Sequence, residues 1–219
     1  RMLPVTFGGD FACRMAAGES VESDIVELPL KRGQDYAVSL YLGDMTLLAS
    51  GTKDTGPLCR AFFAEGNFAA CSQLDPFYTA PMNIFYFLTG VDALCREDCH
   101  ALVCFGDSIT AQSWPDYLML RVLRDGPENL SVIRRGIGGS RVLRSYQHLL
   151  IRHYGQKGAD RFEREVAAAG ADRVIVLHGV NDLIHPDGSL FRPWSDLPTA
   201  QELIDGLRYY VQRGHELGL

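Results

Sequence analysis

Polar and apolar positions are patterned in two different ways along the chain, and the change falls near residue 95. Before it, Tyr36-Ala-Val-Ser-Leu-Tyr-Leu42 alternates, placing Val38, Leu40 and Leu42 on one face of an extended segment. Ile84-Phe-Tyr-Phe-Leu-Thr-Gly-Val91 is a second aromatic and apolar run. Between such runs stand Gly33, Gly51, Gly56-Pro57, Gly66, Pro76 and Pro81. Short strands broken in this way predict a β-sandwich or jelly-roll-like domain over residues 1–96.

After residue 97 the pattern becomes strand, helix, strand. Ala101-Leu-Val-Cys-Phe105 is a continuous apolar run, as a strand buried on both faces should be. Ser113-Trp-Pro-Asp116 opens a helix to about Arg124, with proline in the first turn, where a missing N–H does no harm. Leu130-Ser-Val-Ile133 and Arg173-Val-Ile-Val-Leu177 read as further strands, the latter also buried. Helices are expected over about 141–154 and 160–169. A last helix follows the capping box Thr199-Ala-Gln-Glu202, with Ala200, Leu203, Ile204, Leu207, Tyr210 and Val211 as its apolar face. Alternation of this kind predicts a parallel sheet covered by helices on both sides over residues 97–219.

Composition narrows the function. With 219 residues and 47% hydrophobic side chains the chain is long and apolar enough to bury a core. Its net charge of −6 gives no footprint for nucleic acid. No apolar run is long enough to span a bilayer. Six cysteines, Cys13, Cys59, Cys71, Cys95, Cys99 and Cys104, mostly stand among apolar residues, which favours buried free thiols and a cytoplasmic setting. The opening Arg1-Met2-Leu3-Pro4-Val5 does not read as a natural start, so a segment upstream is expected.

In open α/β sheets, sites form beyond the carboxyl ends of the strands. The three strands here end in Gly106-Asp-Ser-Ile-Thr110, Gly136-Ile-Gly-Gly-Ser140 and His178-Gly-Val-Asn-Asp182. A serine between a strand and a helix is exposed and near a positive helix end, but it needs a base to become a nucleophile. Gly139 lets backbone approach a reacting carbonyl, and Asn181 offers a neutral amide donor. Asp107 and Asp182 are placed to hold their loops by accepting backbone hydrogen bonds.

Together these segments resemble the three leading blocks of the SGNH (GDSL-type) hydrolase superfamily. The resemblance implies a flavodoxin-like three-layer α/β/α domain and an ester hydrolase without a cofactor. By it, Ser108 is the nucleophile, and Gly139 and Asn181 are oxyanion donors. With Val5-Thr-Phe-Gly-Gly9, the Tyr36–Leu42 run and Phe87-Leu-Thr-Gly-Val91, the likeness extends to an acetylxylan-esterase-like branch with a preceding β domain. The implied substrate is a carbohydrate acetyl ester. The superfamily's base is the histidine of a later Asp-x-x-His block, which does not occur before Leu219. The chain therefore reads as truncated at both ends, as one of two chains that share a site, or as a non-catalytic carbohydrate- or ester-binding module.

Other readings fall away. Asp182-Leu-Ile-His185 spells Asp-x-x-His, but it begins one residue after Asn181, on the wrong side of the reaction centre to serve as base. His185 is read as a histidine at the site rim and His178 as a structural one at a strand end. Arg134-Arg135 is expected to be solvated or ion-paired. Gly136-Ile-Gly-Gly-Ser-Arg141 lacks the third glycine of a dinucleotide loop. Cys95, Cys99, His100 and Cys104 match no standard zinc spacing, so no metal is expected.

Overall fold

Residues 2–43, 51–53, 56–73, 79–167 and 170–219 are described by the computed structural model. Contacts divide the chain into two units, Arg1–Leu47 with Phe62–Pro81 and Leu48–Ala61 with Met82–Leu219. Before residue 96 the strands among the described residues are β1 (Thr52–Lys53), β2 (Ala61–Ala64), β3 (Thr79–Met82) and β4 (Ile84–Phe85). They form two separate two-stranded ladders, β1–β4 and β2–β3, with Thr52 opposite Phe85 in the first.

The expected β-sandwich over 1–96 is therefore not seen among the described residues. Residues 36–42 form no ladder, and Tyr36, Val38, Leu40, Tyr41 and Leu42 are all exposed. Alternation makes a strand only when a neighbour takes its backbone hydrogen bonds and a second layer covers its apolar face. The run from Ile84 stops at Phe85, because Phe87 turns the backbone to φ 65°, outside the strand region.

The second unit follows the expected strand–helix alternation. Three parallel strands, β5 (His100–Gly106), β6 (Leu130–Gly136) and β7 (Arg173–Leu177), lie in the order β6-β5-β7. The helices are α1 (Ser108–Ala111), α2 (Trp114–Asp125), α3 (Gly158–Ala167), α4 (Val180–Ile184) and α5 (Ala200–Glu216). The crossover through α2 leads from β5 to one side, and the crossover through α3 leads from β6 back across β5 to the other. Parallel crossovers are right-handed, so α2 and α3 cover opposite faces. The central strand β5 is where the crossovers diverge, and its carboxyl end opens the crevice of such sheets.

The core lies on the α3 and α5 side. Val103 and Phe105 of β5 pack with Val142, Phe162, Val166 and Tyr210, and Val174 and Val176 of β7 lean on this cluster. The Phe105 ring meets Phe162 and Tyr210 edge-on, with centroids 5.2 and 5.5 Å apart. Full burial of such a side chain contributes roughly 1.5–3 kcal/mol. Against expectation, β7 is covered on one face only, since Ile175 and Leu177 are exposed.

Two helical expectations are corrected. Residues 141–151 are not helical, and only a short 3-10 turn at Arg152–Tyr154 follows them. The Asp182 carboxylate takes the Val142 and Leu143 N–H groups at 2.7 and 3.0 Å. Gly158 N–H donates to the Arg141 carbonyl. Backbone groups that a helix would pair internally are thus committed elsewhere. Helix α5 starts at the Thr199 cap as expected, with both bonds of the capping box formed. Its buried face is different: Leu203, Gly206, Tyr210 and Gly214 face inward, while Ile204, Leu207 and Val211 are exposed. The reason is close approach, because a Cβ on Gly206 would strike Val142 and Leu143.

No helix among the described residues is long and apolar enough to cross a membrane. None of the six cysteines is disulfide-bonded, and only Cys104 is buried; Cys13, Cys59, Cys71 and Cys95 are exposed, contrary to the expectation from their apolar neighbours. Burial pushes the Cys104 thiol up to about 11, which keeps it protonated and inert.

Candidate active site

The turn after β5 sets the first residue of the site. Asp107 caps α1, its buried carboxylate accepting the Ile109 N–H at 3.0 Å, and Ser108 is the first residue of that helix. Burial raises the Asp107 carboxyl above its usual range, against the opposing pull of the Ile109 N–H and Arg161. Helix α1 has four residues, so its dipole is that of one turn. Gly106 admits no side chain here, because a Cβ would strike the Leu177 carbonyl and Thr110 Oγ1. Ser108 is half-buried, and among the described residues its hydroxyl makes no hydrogen bond to any side chain.

The loop after β6 comes alongside. Gly136 packs on the backbone of Thr110 and Ala111, and a Cβ on Gly138 would lie 3.9 Å from Ser108 Cβ. The Ser140 N–H donates to the Ile137 carbonyl at 3.1 Å, closing a tight turn. Gly139 stands in that turn at φ 80°, where a side chain would be strained and would also strike the Tyr154 ring. Gly139 is buried, and its N–H has no acceptor among the described residues. An N–H without a partner in the protein is open to a ligand or to solvent as its acceptor.

The turn after β7 supplies the third part. Gly179, at φ 121°, leads into α4, whose first turn holds Asn181 and Asp182, both buried. The segment is thus a short helix, where a loop was expected. Asn181 Nδ2 donates one proton to the Ser140 carbonyl at 2.9 Å, leaving the second amide proton. Asp182 holds Val142 and Leu143 as described; burial raises its carboxyl despite those two donors.

Ser140 is the hub that ties these parts together, and the sequence alone did not single it out. Its carbonyl also accepts from His178 Nε2 at 3.1 Å. Because a carbonyl only accepts, His178 carries its proton on Nε2, and Nδ1 accepts from the Tyr210 hydroxyl at 3.0 Å. Burial, with Arg161 nearby, pulls His178 down to about 4, so it is neutral near pH 7. His178 therefore has partners on both nitrogens, where none was visible in the sequence.

Arg161 is the second residue that sequence reading missed. Its side chain is fully buried and lies over the Phe105 ring at 4.2 Å. Nη2 donates to the Gly106 carbonyl at 2.6 Å and to Ser140 Oγ at 3.1 Å; Nη1 donates to the Arg135 carbonyl at 3.4 Å and to Glu165 at 2.6 Å. One guanidinium thus joins the ends of β5 and β6 to the Gly139 loop. The i,i+4 spacing to Glu165 looks like an ordinary surface pair, so no local signal marks it as buried.

His185 caps the end of α4. Its Nδ1 donates to the Tyr146 hydroxyl, which in turn donates to the Gly139 carbonyl at 3.2 Å. The Tyr146 and Tyr154 rings flank it, and burial lowers its pKa, helped by Arg192 and Arg141. Neither His178 nor His185 hydrogen-bonds to Ser108. Arg134 pairs with Asp116 at 3.7 Å, both largely buried, and among the described residues no cluster suited to a metal ion occurs.

A fold with parallel strands, a serine at the crevice end of the central strand and glycine and asparagine segments on either side define the SGNH class of α/β proteins. The GDSL-like lipase/acylhydrolase family matches residues 104–216, and the chain belongs to that family. No curated protein matches it. Among solved structures it is similar to AlinE4, an SGNH-hydrolase family esterase, at 18% identity over 56% of each chain with a TM-score of 0.39. It is also similar to a carbohydrate acetylesterase family member from Sinorhizobium meliloti, at 21% identity over 52% of each chain with a TM-score of 0.37. The chain spans about half the length of these structures.

Proposed function

We propose that this chain carries the nucleophile and oxyanion site of a serine ester hydrolase that removes acetyl groups from a carbohydrate of the xylan type. The supporting observation is the Gly139 N–H, which has no acceptor among the described residues and stands in the loop that runs beside Ser108. In this reading Ser108 Oγ attacks the ester carbonyl. The oxyanion that forms takes the N–H groups of Ser108 and Gly139 and the second amide proton of Asn181. Collapse expels the sugar alcohol and leaves an acetyl-serine, which water then cleaves to acetate. Fixed donors of this kind contribute about a hundred- to a thousandfold each to turnover. The proton of Ser108 needs a base, and the reading requires a histidine brought to Ser108 from outside the described site. The acetyl-carbohydrate substrate follows the branch that the sequence resembles.

Release of acetate from 4-nitrophenyl acetate and from acetylated xylo-oligosaccharides, measured on the full natural polypeptide, tests the reading. Ser108→Ala is expected to lower turnover at least about a thousandfold. Retention of turnover would remove Ser108 as the nucleophile. His185→Ala is expected to leave the chemistry standing, since His185 makes no hydrogen bond to Ser108 and reaches the Gly139 loop only through Tyr146.

One observation favours a second reading, a carbohydrate- or ester-binding module: no histidine among the described residues bonds to Ser108. Without its base a serine site keeps only about a thousand- to ten-thousandfold over water. Calorimetry that finds tight binding of acetylated xylo-oligosaccharides, with no acetate released by the natural polypeptide, would favour the module.

A further inference from the structure

The segment that leads into β5 carries two cysteines, Cys95 and Cys99, that the ester chemistry leaves unused. The Cys99 N–H donates to the Arg96 carbonyl at 3.1 Å, so residues 96–99 form a tight turn. Arg96 and Asp98 form an ion pair within it, Nε to carboxylate at 3.0 Å. Asn129, in the loop before β6, holds the turn in place. Its Nδ2 donates to the Asp98 carbonyl, and the His100 N–H donates to the Asn129 carbonyl at 2.7 Å. The turn folds the chain back, and the Cys95 and Cys99 side chains meet in a hydrogen bond. Cys95 is exposed and Cys99 half-buried, so a reagent in solvent reaches the pair.

A metal ion does not suit this corner. Two sulfurs fill only half of a tetrahedral site. The His100 Nδ1 lies on the Asp172 carboxylate at 2.6 Å, and Cys104 is enclosed within β5. Among the described residues no cluster of three metal-binding side chains occurs. Two thiols in contact within one turn have a chemistry of their own, because the fold has already made the approach that a disulfide needs.

We propose that Cys95 and Cys99 form a reversible thiol–disulfide site, oxidised by a small-molecule disulfide of the glutathione type. The exposed Cys95, as thiolate, attacks one sulfur of that disulfide and expels a thiolate, which takes up a proton. Cys99 then gives up its proton, attacks the Cys95 sulfur and expels the second thiol. The protein loses two electrons and two protons, and the small disulfide becomes two thiols. The hydrogen bond to Cys99, with the Asp98 carboxylate nearby, holds the Cys95 thiol above its usual range, so the exchange quickens as pH rises. Ser108 follows the opposite end of β5, roughly 20 Å along the strand, so the site stands whether or not Ser108 is a nucleophile.

The test is equilibration of the natural polypeptide, first fully reduced, in mixtures of reduced and oxidised glutathione, then acid quench, alkylation and tryptic peptide mapping. Cleavage after Arg96 parts the two cysteines, so a bond between them appears as two linked peptides that reductant separates. A Cys95–Cys99 bond is expected, with Cys104 left as a thiol. The folded protein is expected to form that bond with an equilibrium constant at least about tenfold larger than the same chain in urea, because the turn holds the sulfurs together. In Cys99→Ser, Cys95 is expected to stop at a mixed disulfide with glutathione, with unchanged thermal unfolding as the control for folding. Three results would overturn the site: a pair that stays reduced while Cys13, Cys59 or Cys71 takes up glutathione, a bond from Cys95 to any other cysteine, or equal constants in the folded and unfolded chain.

Discussion

Arg161 is the residue on which the site's geometry most depends. Its charge is fully buried, and the only carboxylate bonded to it among the described residues is Glu165. Removal takes the guanidinium bonds from the Gly106 and Arg135 carbonyls and from Ser140 Oγ, although Gly106 keeps the Ile137 N–H and Ser140 Oγ keeps His178 Nε2, and it leaves Glu165 without its buried partner. Arg161→Met is expected to destabilise the fold by about 3 kcal/mol, measured by urea unfolding. A cost below about 1 kcal/mol would mean that the guanidinium holds little. At this scale the sequence was legible at the strand ends: Ser108, Gly139 and Asn181 stand in three turns that meet around Ser140. Arg161 and Ser140 were hidden because burial is a property of the whole packing, and a helical Arg–Glu spacing reads the same inside or outside.

At the scale of elements, strand β5 was readable because an apolar run without alternation needs two covered faces, and β5 has both, whereas β7 carries a similar run with only one face covered. Helix α5 was readable at its start, where cap chemistry is local. Thr199 accepts the Glu202 N–H, and the Glu202 carboxylate returns a bond to the Thr199 N–H. Thr199→Ala is expected to cost about 1 kcal/mol, with faster amide hydrogen exchange confined to the first turn of α5. Exchange left unchanged there would show that packing alone holds the turn. The inward face of α5 was misread because glycines, not large apolar residues, set the contact: Gly206 lets Val142 and Leu143 come close. The missing helix at 141–151 has a similar cause, since Asp182, some 40 residues away, claims its N–H groups.

At the scale of the whole molecule, stability carries a mark of the buried His178. Its folded-state value of about 4 lies below the ordinary 6.5. Protons then bind the unfolded chain more readily, so the stability His178 lends is complete above about pH 6.5 and is lost as pH falls toward 4. The loss is about 3 kcal/mol over that window. The Asp107 and Asp182 carboxyls, raised by burial, act with the opposite sign and favour the fold as they protonate. Urea unfolding across this range, compared with His178→Asn, checks the point; equal slopes in the two proteins would show that His178 titrates alike folded and unfolded. The region before residue 96 was the least legible part, because strand alternation there states a preference that only neighbouring strands could realise.

The strand order has a consequence in time. Strand β5 pairs with β6 across about 30 residues of chain, but with β7 across about 70. Contacts that close longer loops form later. During synthesis the serine turn emerges well before Arg173–Leu177 exists to complete its wall, for the Leu177 carbonyl is what Gly106 and Thr110 rest against. Until β7 docks, the nascent chain carries Ser108 in a turn without its Leu177 wall, so the candidate site takes its shape only after some 70 further residues have been made.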